Sequence, residues 1–108
     1  MENQHQKIKG YRGLSQQEID LMNAIKDAGE VLLNLQALVV ARLNTDGEIK
    51  RREAGASKLS AADEGSDQST ELRRFEKAEP HRWASIAKTD IQTGVMALVR
   101  SIAQPTNC

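Results

Sequence analysis

The sequence predicts an all-α protein in which two long helices form an antiparallel hairpin after a short N-terminal segment. Apolar residues recur at steps of three and four over residues 16–43 and again over 80–104, as one face of an α-helix requires. Both helices would be about 40 Å long at 1.5 Å per residue. The stretch between them, about 45–68, is mostly small and polar. Because it cannot bury enough apolar surface to offset its ordering entropy, we expect a mobile loop there.

The first helix has a recognisable start and an unusually wide apolar stripe. Ser15 and Glu18 have the spacing of a capping box, so the helix should begin at 16. Gly29 costs roughly 1 kcal/mol relative to alanine inside a helix, which suggests a close approach by another group. The stripe exceeds what one hairpin seam needs, so we expect a second partner to cover part of it. Its members are Leu21, Ile25, Ala28, Val31, Leu32, Leu35, Leu38 and Val39.

The remaining boundaries follow from residues that favour turns and helix ends. Asn44-Thr-Asp-Gly47 is typical turn chemistry, so the first helix should end at about 43. Residues 70–77 are predicted to form a short helical turn. Pro80 suits the first position of a helix, where its missing N–H costs nothing. Gln104 precedes Pro105, which disfavours further helix and marks the end of the second one.

Composition limits the classes of function. The chain has 108 residues, enough for a single domain over 1–108, and its 15 basic and 15 acidic side chains cancel. DNA-binding proteins normally carry a basic excess, so we expect no DNA partner. No apolar run approaches the roughly 20 residues of a membrane span, and no signal-peptide segment follows Met1, so a soluble intracellular protein is expected. Cys108 and two scattered histidines are too few for a metal site, and no cofactor is expected.

The segment KGYRGLSQQEIDLMNAIK, residues 9–26, is the candidate binding site. It holds the only tyrosine, Tyr11, between Gly10 and Gly13, with Arg12 beside it and Lys26 in the following helix. An aromatic ring, cations and the free N–H groups of a helix start suit a phosphorylated ligand that carries rings. A purely structural interpretation stays open for each residue. In it, the tyrosine only covers the end of the hairpin, and the lysine is only a solvated helix residue.

The second helix offers further candidates. Arg82 could bind phosphate or lie free on the surface, and Thr89 could bond a ligand or its own helix. Trp83 suits a core or an interface better than a ligand contact. His81, Ser85 and Asp90 share one helix, but nothing supplies an oxyanion hole, so we expect no enzyme.

Two segments together resemble a known family. They are KIKGYRGLSQQEIDLMNAIK, residues 7–26, and RWASIAKTDIQTGVMALVRSIAQP, residues 82–105. They are similar to the small phage-encoded anti-CBASS sponges, which bind the cyclic oligonucleotide messengers of bacterial cGAS-like immunity. The same hairpin resembles a domain of a Thoeris anti-defence protein, which sequesters a cyclic ADP-ribose-type signal. Residues 45–78 contribute nothing to the resemblance.

The resemblance implies a helical-hairpin protomer that assembles as a homohexamer. It also implies that cyclic dinucleotides such as cyclic GMP-AMP bind in pockets between two protomers. The tyrosine and the lysine that carry this pocket in the family match Tyr11 and Lys26, and Gly10 and Arg12 flank the tyrosine here. The messenger would be sequestered without cleavage, in the cytoplasm of the infected bacterial host.

The resemblance further implies a second pocket between subunits, rich in cations, that holds cyclic trinucleotides. Arg82 and Thr89 are the candidates for that pocket. A different hypothesis needs no nucleotide: the chain is a helical interaction module that blocks a defence or regulatory protein through its apolar stripe. That hypothesis requires Leu32 or Leu35 for activity and leaves Tyr11 dispensable. A binder of linear nucleic acid is the weakest alternative, because the net charge is zero.

Overall fold

A computed structural model describes residues 13–58 and 65–106, which form three helices and, within those ranges, no strand. Helix α1 spans Gln16–Ala56, α2 spans Asp67–Ala78 and α3 spans Pro80–Ala103. The all-α prediction is therefore confirmed, and the arrangement is consistent with a hairpin. The chain divides into two compact units. Unit 1 is Met1–Asn34 with Lys88–Cys108, and unit 2 is Leu35–Ala87.

The start of α1 is the predicted capping box. The Glu18 backbone N–H donates to Ser15 Oγ at 3.1 Å, and the Ser15 N–H donates to Glu18 Oε1 at 3.0 Å. Two N–H groups that the helix itself leaves without acceptors are thereby satisfied. The residue spacing alone fixed this boundary.

The end of α1 was predicted wrongly. The helix continues beyond 43, through Asn44 and Gly47, to Ala56. Each residue that favours a turn has a partner instead. The Thr45 hydroxyl donates to the Ala41 carbonyl at 3.2 Å, Arg42 Nε donates to Asp46 Oδ2 at 3.4 Å, and Asn44 Oδ1 bonds His81. Side-chain contacts here outweigh intrinsic turn preference, as tertiary packing commonly does.

The expected mobile loop over 45–68 is also largely replaced by helix. Residues 45–56 belong to α1 and 67–68 to α2, while 59–64 lie outside the described residues. The short turn expected at 70–77 is the full helix α2. Ser66 caps it by accepting from the Ser69 N–H at 3.0 Å. Two further serines adjoin this cap. Ser57 Oγ lies 2.7 Å from Ser66 Oγ, and Ser69 is only 2% exposed.

One residue, Glu79, separates α2 from α3. Its backbone is left-handed, with φ 50° and ψ 52°, and its N–H donates to the Glu76 carbonyl. Its own carbonyl accepts from the Trp83 N–H at 3.2 Å, so α3 begins at Pro80 as expected. At the other end α3 stops at Ala103, and Gln104 has φ 51°. This end agrees within one residue with the expected 104.

Unit 2 is held by contacts whose order is antiparallel. Gln36 Nε2 donates to the Ala84 carbonyl at 2.9 Å, and Asn44 Oδ1 lies 2.8 Å from His81 Nε2. Phe75, which is 8% exposed, packs where a Cβ on Gly47 would come within 3.5 Å of its ring. As the residue number increases along α1 from 36 to 47, the number of the contacted residue decreases from 84 in α3 to 75 in α2, which is the order of an antiparallel pair.

Unit 1 is built around a close approach at Gly29, which is buried. A Cβ at this position would stand 2.6 Å from Val95 Cγ2, much closer than carbon atoms pack. The expected close approach is thus made by a valine side chain of α3. Glycine at 29 lets that side chain sit directly on the backbone of α1.

The chain leaves many large apolar side chains on its surface. Leu32, Leu35 and Val39 keep about half of their surface exposed, and Trp83 is 58% exposed. Core placement of the tryptophan is therefore excluded in this chain. Others with more than two-fifths of their surface exposed are Leu21, Val31, Leu38, Ile49, Met96 and Leu98. No helix within 13–58 and 65–106 is long and apolar enough to cross a membrane.

Candidate nucleotide-binding groove

The predicted site residues divide between described and undescribed parts of the chain. Gly10, Tyr11 and Arg12 lie outside the described residues. Lys26 lies in unit 1 on the surface of α1, three turns into the capped helix. The juxtaposition of Tyr11 with Lys26 therefore remains a prediction.

Lys26 lines an open groove between the two helical segments of unit 1. The groove has a volume of about 440 Å³, within the range of small-molecule sites. From α1 it is lined by Lys26, Gly29, Glu30 and Leu33, and from α3 by Gln92, Val95 and Met96. Apolar surface predominates, and three of the lining side chains are polar. This composition is typical of a ligand site in which a few polar groups orient the ligand.

The polar side chains of this groove, Lys26, Glu30 and Gln92, are exposed. Within residues 13–58 and 65–106, none of them makes a side-chain hydrogen bond or an ion pair. Their hydrogen-bonding capacity is therefore not consumed by the described protein. A cation, a carboxylate and a carboxamide therefore remain available in one largely apolar groove.

A second groove lies in the same unit and shares Gly29 and Val95 with the first. Its volume is about 330 Å³. Its lining is almost entirely apolar, with Asp90 as the charged member and Ile25, Ala28, Leu32, Ile91, Gly94 and Leu98 as the others. The first groove, with its three polar side chains, is the better candidate for a charged ligand.

The residues proposed for a second ligand are both among the described residues. Arg82 lies in unit 2, with its guanidinium 5.3 Å from the centre of the Trp83 ring and 3.6 Å from Glu79 Oε2. Thr89 lies in unit 1 on the exposed surface of α3. Their assignment to a trinucleotide pocket stays a prediction.

A cluster of charged side chains in unit 2 centres on Glu71. Arg74 donates to Glu71 through Nε at 2.7 Å and Nη2 at 2.6 Å, and Lys50 Nζ lies 3.1 Å from the same carboxylate. The bonds from Arg74 first, and from Lys50 second, lower the pKa of Glu71 from 4.5 to about 2. Lys50 also lies 5.7 Å from the centre of the Phe75 ring. This cluster joins α1 to α2.

The residues weighed as a catalytic set from the sequence include His81 and Asp90. His81 Nε2 bonds Asn44, and Asp90 lines the apolar groove of the other unit. Over the described ranges, no group of three or more histidine, cysteine, aspartate and glutamate side chains is placed to hold a metal. Sequence reasoning missed Glu30, Gln92 and Met96 as groove residues. The turn-spaced pair Lys26 and Glu30 is a visible signal, whereas the α3 residues require the register of the two helices.

Comparison with known proteins identifies a family and a full-length relative. The family model described as "Acb2/Tad1, hairpin domain" matches residues 3–103. A protein of Pseudomonas phage JBD67 named "Anti-CBASS protein 2" is 62% identical over 108 residues, which cover all of both chains. Both matches include the groove of unit 1 and the segment around Tyr11.

Proposed function

Because this chain belongs to the Acb2/Tad1 hairpin-domain family, we propose that it sequesters cyclic di- and trinucleotide second messengers without cleaving them. In doing so it blocks CBASS immunity in the cytoplasm of the infected bacterium. The observation that carries this proposal is the full-length relative named "Anti-CBASS protein 2", at 62% identity. Cyclic GMP-AMP is the representative ligand. The proposed role is that of a binding protein, not an enzyme.

The groove of unit 1 supports the proposal through its chemistry. A lysine ammonium binds phosphate as a point charge, and Lys26 has no partner among the described residues. The apolar surface of Leu33, Val95 and Met96 suits the faces of sugars and bases. In the proposed complex Tyr11 stacks on a base, which is worth roughly 1–3 kcal/mol per base. Gly10 lets the backbone approach, and Arg12 adds a second cation.

The exposed apolar side chains support the proposed self-association. A cyclic dinucleotide has approximate two-fold symmetry, and an isologous interface presents the same residues twice. Two copies of Tyr11 and Lys26 would then enclose one ligand. We propose a homohexamer as the assembly, with the apolar stripe of α1 as part of its interface. Arg82 and Thr89 are proposed to contribute to a separate trinucleotide pocket.

The proposal is tested by the fate of the ligand. The protein is incubated with cyclic GMP-AMP and filtered, and the retained fraction is denatured and chromatographed. Intact cyclic GMP-AMP should be retained and then released in stoichiometric amount. Lys26→Ala and Tyr11→Ala should each abolish most retention, while Lys88→Ala should retain it. Lys88 is an exposed lysine of the same unit that lines neither groove. Recovery of linear or hydrolysed nucleotide would instead identify a phosphodiesterase.

A protein-directed inhibitor is the second candidate, and the exposure of Leu32 and Leu35 favours it. It predicts that CBASS inhibition in infected cells survives Tyr11→Ala and Lys26→Ala but is lost on Leu32→Asp or Leu35→Asp. Sequestration predicts loss of inhibition in the Tyr11 and Lys26 variants. The two functions therefore differ in the pair of substitutions that cells tolerate.

A further inference from the structure

The groove that Lys26 lines also contains a negative charge, which has no part in binding phosphate. Glu30 lies one turn after Lys26 on α1 and lines the same groove. Pairs four residues apart on a helix are neighbours, yet these two opposite charges form no ion pair. A phosphate is repelled by a carboxylate and attracted by an ammonium. The phosphates of a bound ligand therefore belong on the Lys26 side, which leaves Glu30 to face another part of the ligand.

Gln92 supplies the matching group from α3. It is exposed, lines this groove and makes no side-chain hydrogen bond with the described residues. A carboxamide has one acceptor oxygen and one donor NH₂ group, and a carboxylate only accepts. Gln92 and Glu30 together thus present mainly acceptors with one donor. This pattern suits a base edge that carries an amino group beside a ring nitrogen.

Resting on the proposed function, we infer that Gln92, with Glu30 in the same groove, reads the base of the cyclic dinucleotide and favours adenine. A glutamine side chain pairs with adenine through two bonds, accepting from N6–H₂ and donating to N7. Guanine has O6 in place of the amino group. Gln92 can donate to O6 or N7 of guanine but finds no amino group there from which to accept, so one of the two bonds is lost, and the carboxylate of Glu30 repels O6. Lys26 contacts phosphate, which all cyclic dinucleotides share, and so carries affinity without choosing a base.

The test compares cyclic di-AMP with cyclic GMP-AMP, which have the same phosphates and differ in one base. Calorimetric titration should show that Gln92→Ala raises the Kd for cyclic di-AMP more than that for cyclic GMP-AMP. The ratio of the two constants should shift by about fivefold or more, as expected for loss of a bidentate pair. Glu30→Gln should improve relative binding of cyclic GMP-AMP, because the new amide can donate to O6. Lys26→Ala should weaken both ligands and leave the ratio unchanged.

Matched controls come from neighbouring residues that line neither groove. Thr93→Ala controls for a truncation on α3, and Asp27→Asn controls for a lost carboxylate on α1. Both should leave the Kd ratio within twofold of the parent. Circular dichroism of every variant checks that the helices remain.

The outcomes separate the inference from the function on which it rests. If the parent binds both ligands and Gln92→Ala leaves their ratio unchanged, base reading by this groove is wrong while sequestration stands. An equal loss of both ligands in that variant would also overturn it, since that is the signature of a structural role. If the parent binds no cyclic dinucleotide, the proposed function itself fails.

Discussion

Replacing Gly29 by alanine places a methyl group where Val95 already lies. The added Cβ would stand 2.6 Å from Val95 Cγ2 and 3.6 Å from Cγ1, whereas carbon atoms pack best at about 3.5–4.0 Å. A helical valine has one strongly preferred χ1 rotamer, so Val95 cannot easily turn away. Overpacking of this kind costs about 1–3 kcal/mol. Alanine gains about 1 kcal/mol in helix propensity, so the net loss of stability should be up to about 2 kcal/mol.

Gly94→Ala is the matched control on the partner helix. A Cβ at 94 meets nothing within 4 Å, and the position is exposed inside α3. This variant should therefore gain about 1 kcal/mol from propensity alone. The two identical chemical changes are expected to have opposite signs. Urea unfolding followed by circular dichroism measures both, at one protein concentration because self-association would add to apparent stability.

A double mutant isolates the responsible contact. Val95→Ala removes the two methyl groups that meet the new Cβ, so Gly29→Ala should stop being destabilising in a Val95→Ala background. The coupling between the two substitutions should be at least about 1 kcal/mol, as for residues in direct contact. If Gly29→Ala stabilises the protein as much as Gly94→Ala does, with valine still at 95, the argument for a close approach is refuted.

Three further predictions concern other contacts. In an NMR pH titration the Glu71 carboxyl should titrate near pH 2, and Arg74→Ala should raise its pKa. Because the pKa is lowered in the folded state, the stabilisation from Glu71 is complete above about pH 4.5 and is lost as the pH falls towards 2. Ser66→Ala should lower the unfolding free energy by about 1–3 kcal/mol in urea titrations, because it removes the cap of α2 and a partner of the buried Ser69 hydroxyl. Gln104→Gly should raise the unfolding free energy by about 1 kcal/mol, because glycine has no steric penalty at φ 51°. Thermal melts measure this gain, and no change would argue against strain at position 104.

The sequence was informative wherever structure depends on near neighbours. The capping box of Ser15 and Glu18 and the start of α3 at Pro80 each involve residues at most a few positions apart. The end of α1 was misread in part because two of the contacts that hold this stretch as helix are distant. Asn44 is held by His81, and Gly47 is packed by Phe75, and neither contact can be read from the local turn signal. Long-range partners here convert a turn sequence into helix.

The candidate site shows the same division. Lys26 could be singled out because its charge stands beside an apolar stripe on one predictable helix. The opposite wall of its groove could not, since Gln92 and Met96 become neighbours of Lys26 only through the register of α3 against α1. That register depends on the fit of Val95 against Gly29. Helical periodicity gives the face of each helix but not its axial offset.

The two units differ in the sequence separation between the residues that contact each other inside them, and this difference bears on the order of folding. Unit 2 is one continuous segment, Leu35–Ala87, whereas unit 1 joins Met1–Asn34 to Lys88–Cys108. The contact of Lys50 with Glu71 closes a short loop, whereas the contact of Gly29 with Val95 closes a loop that contains all of unit 2. Loop-closure entropy rises with that separation, so unit 2 is expected to nucleate folding. Lys26 and its groove would then be among the last parts of the protein to form.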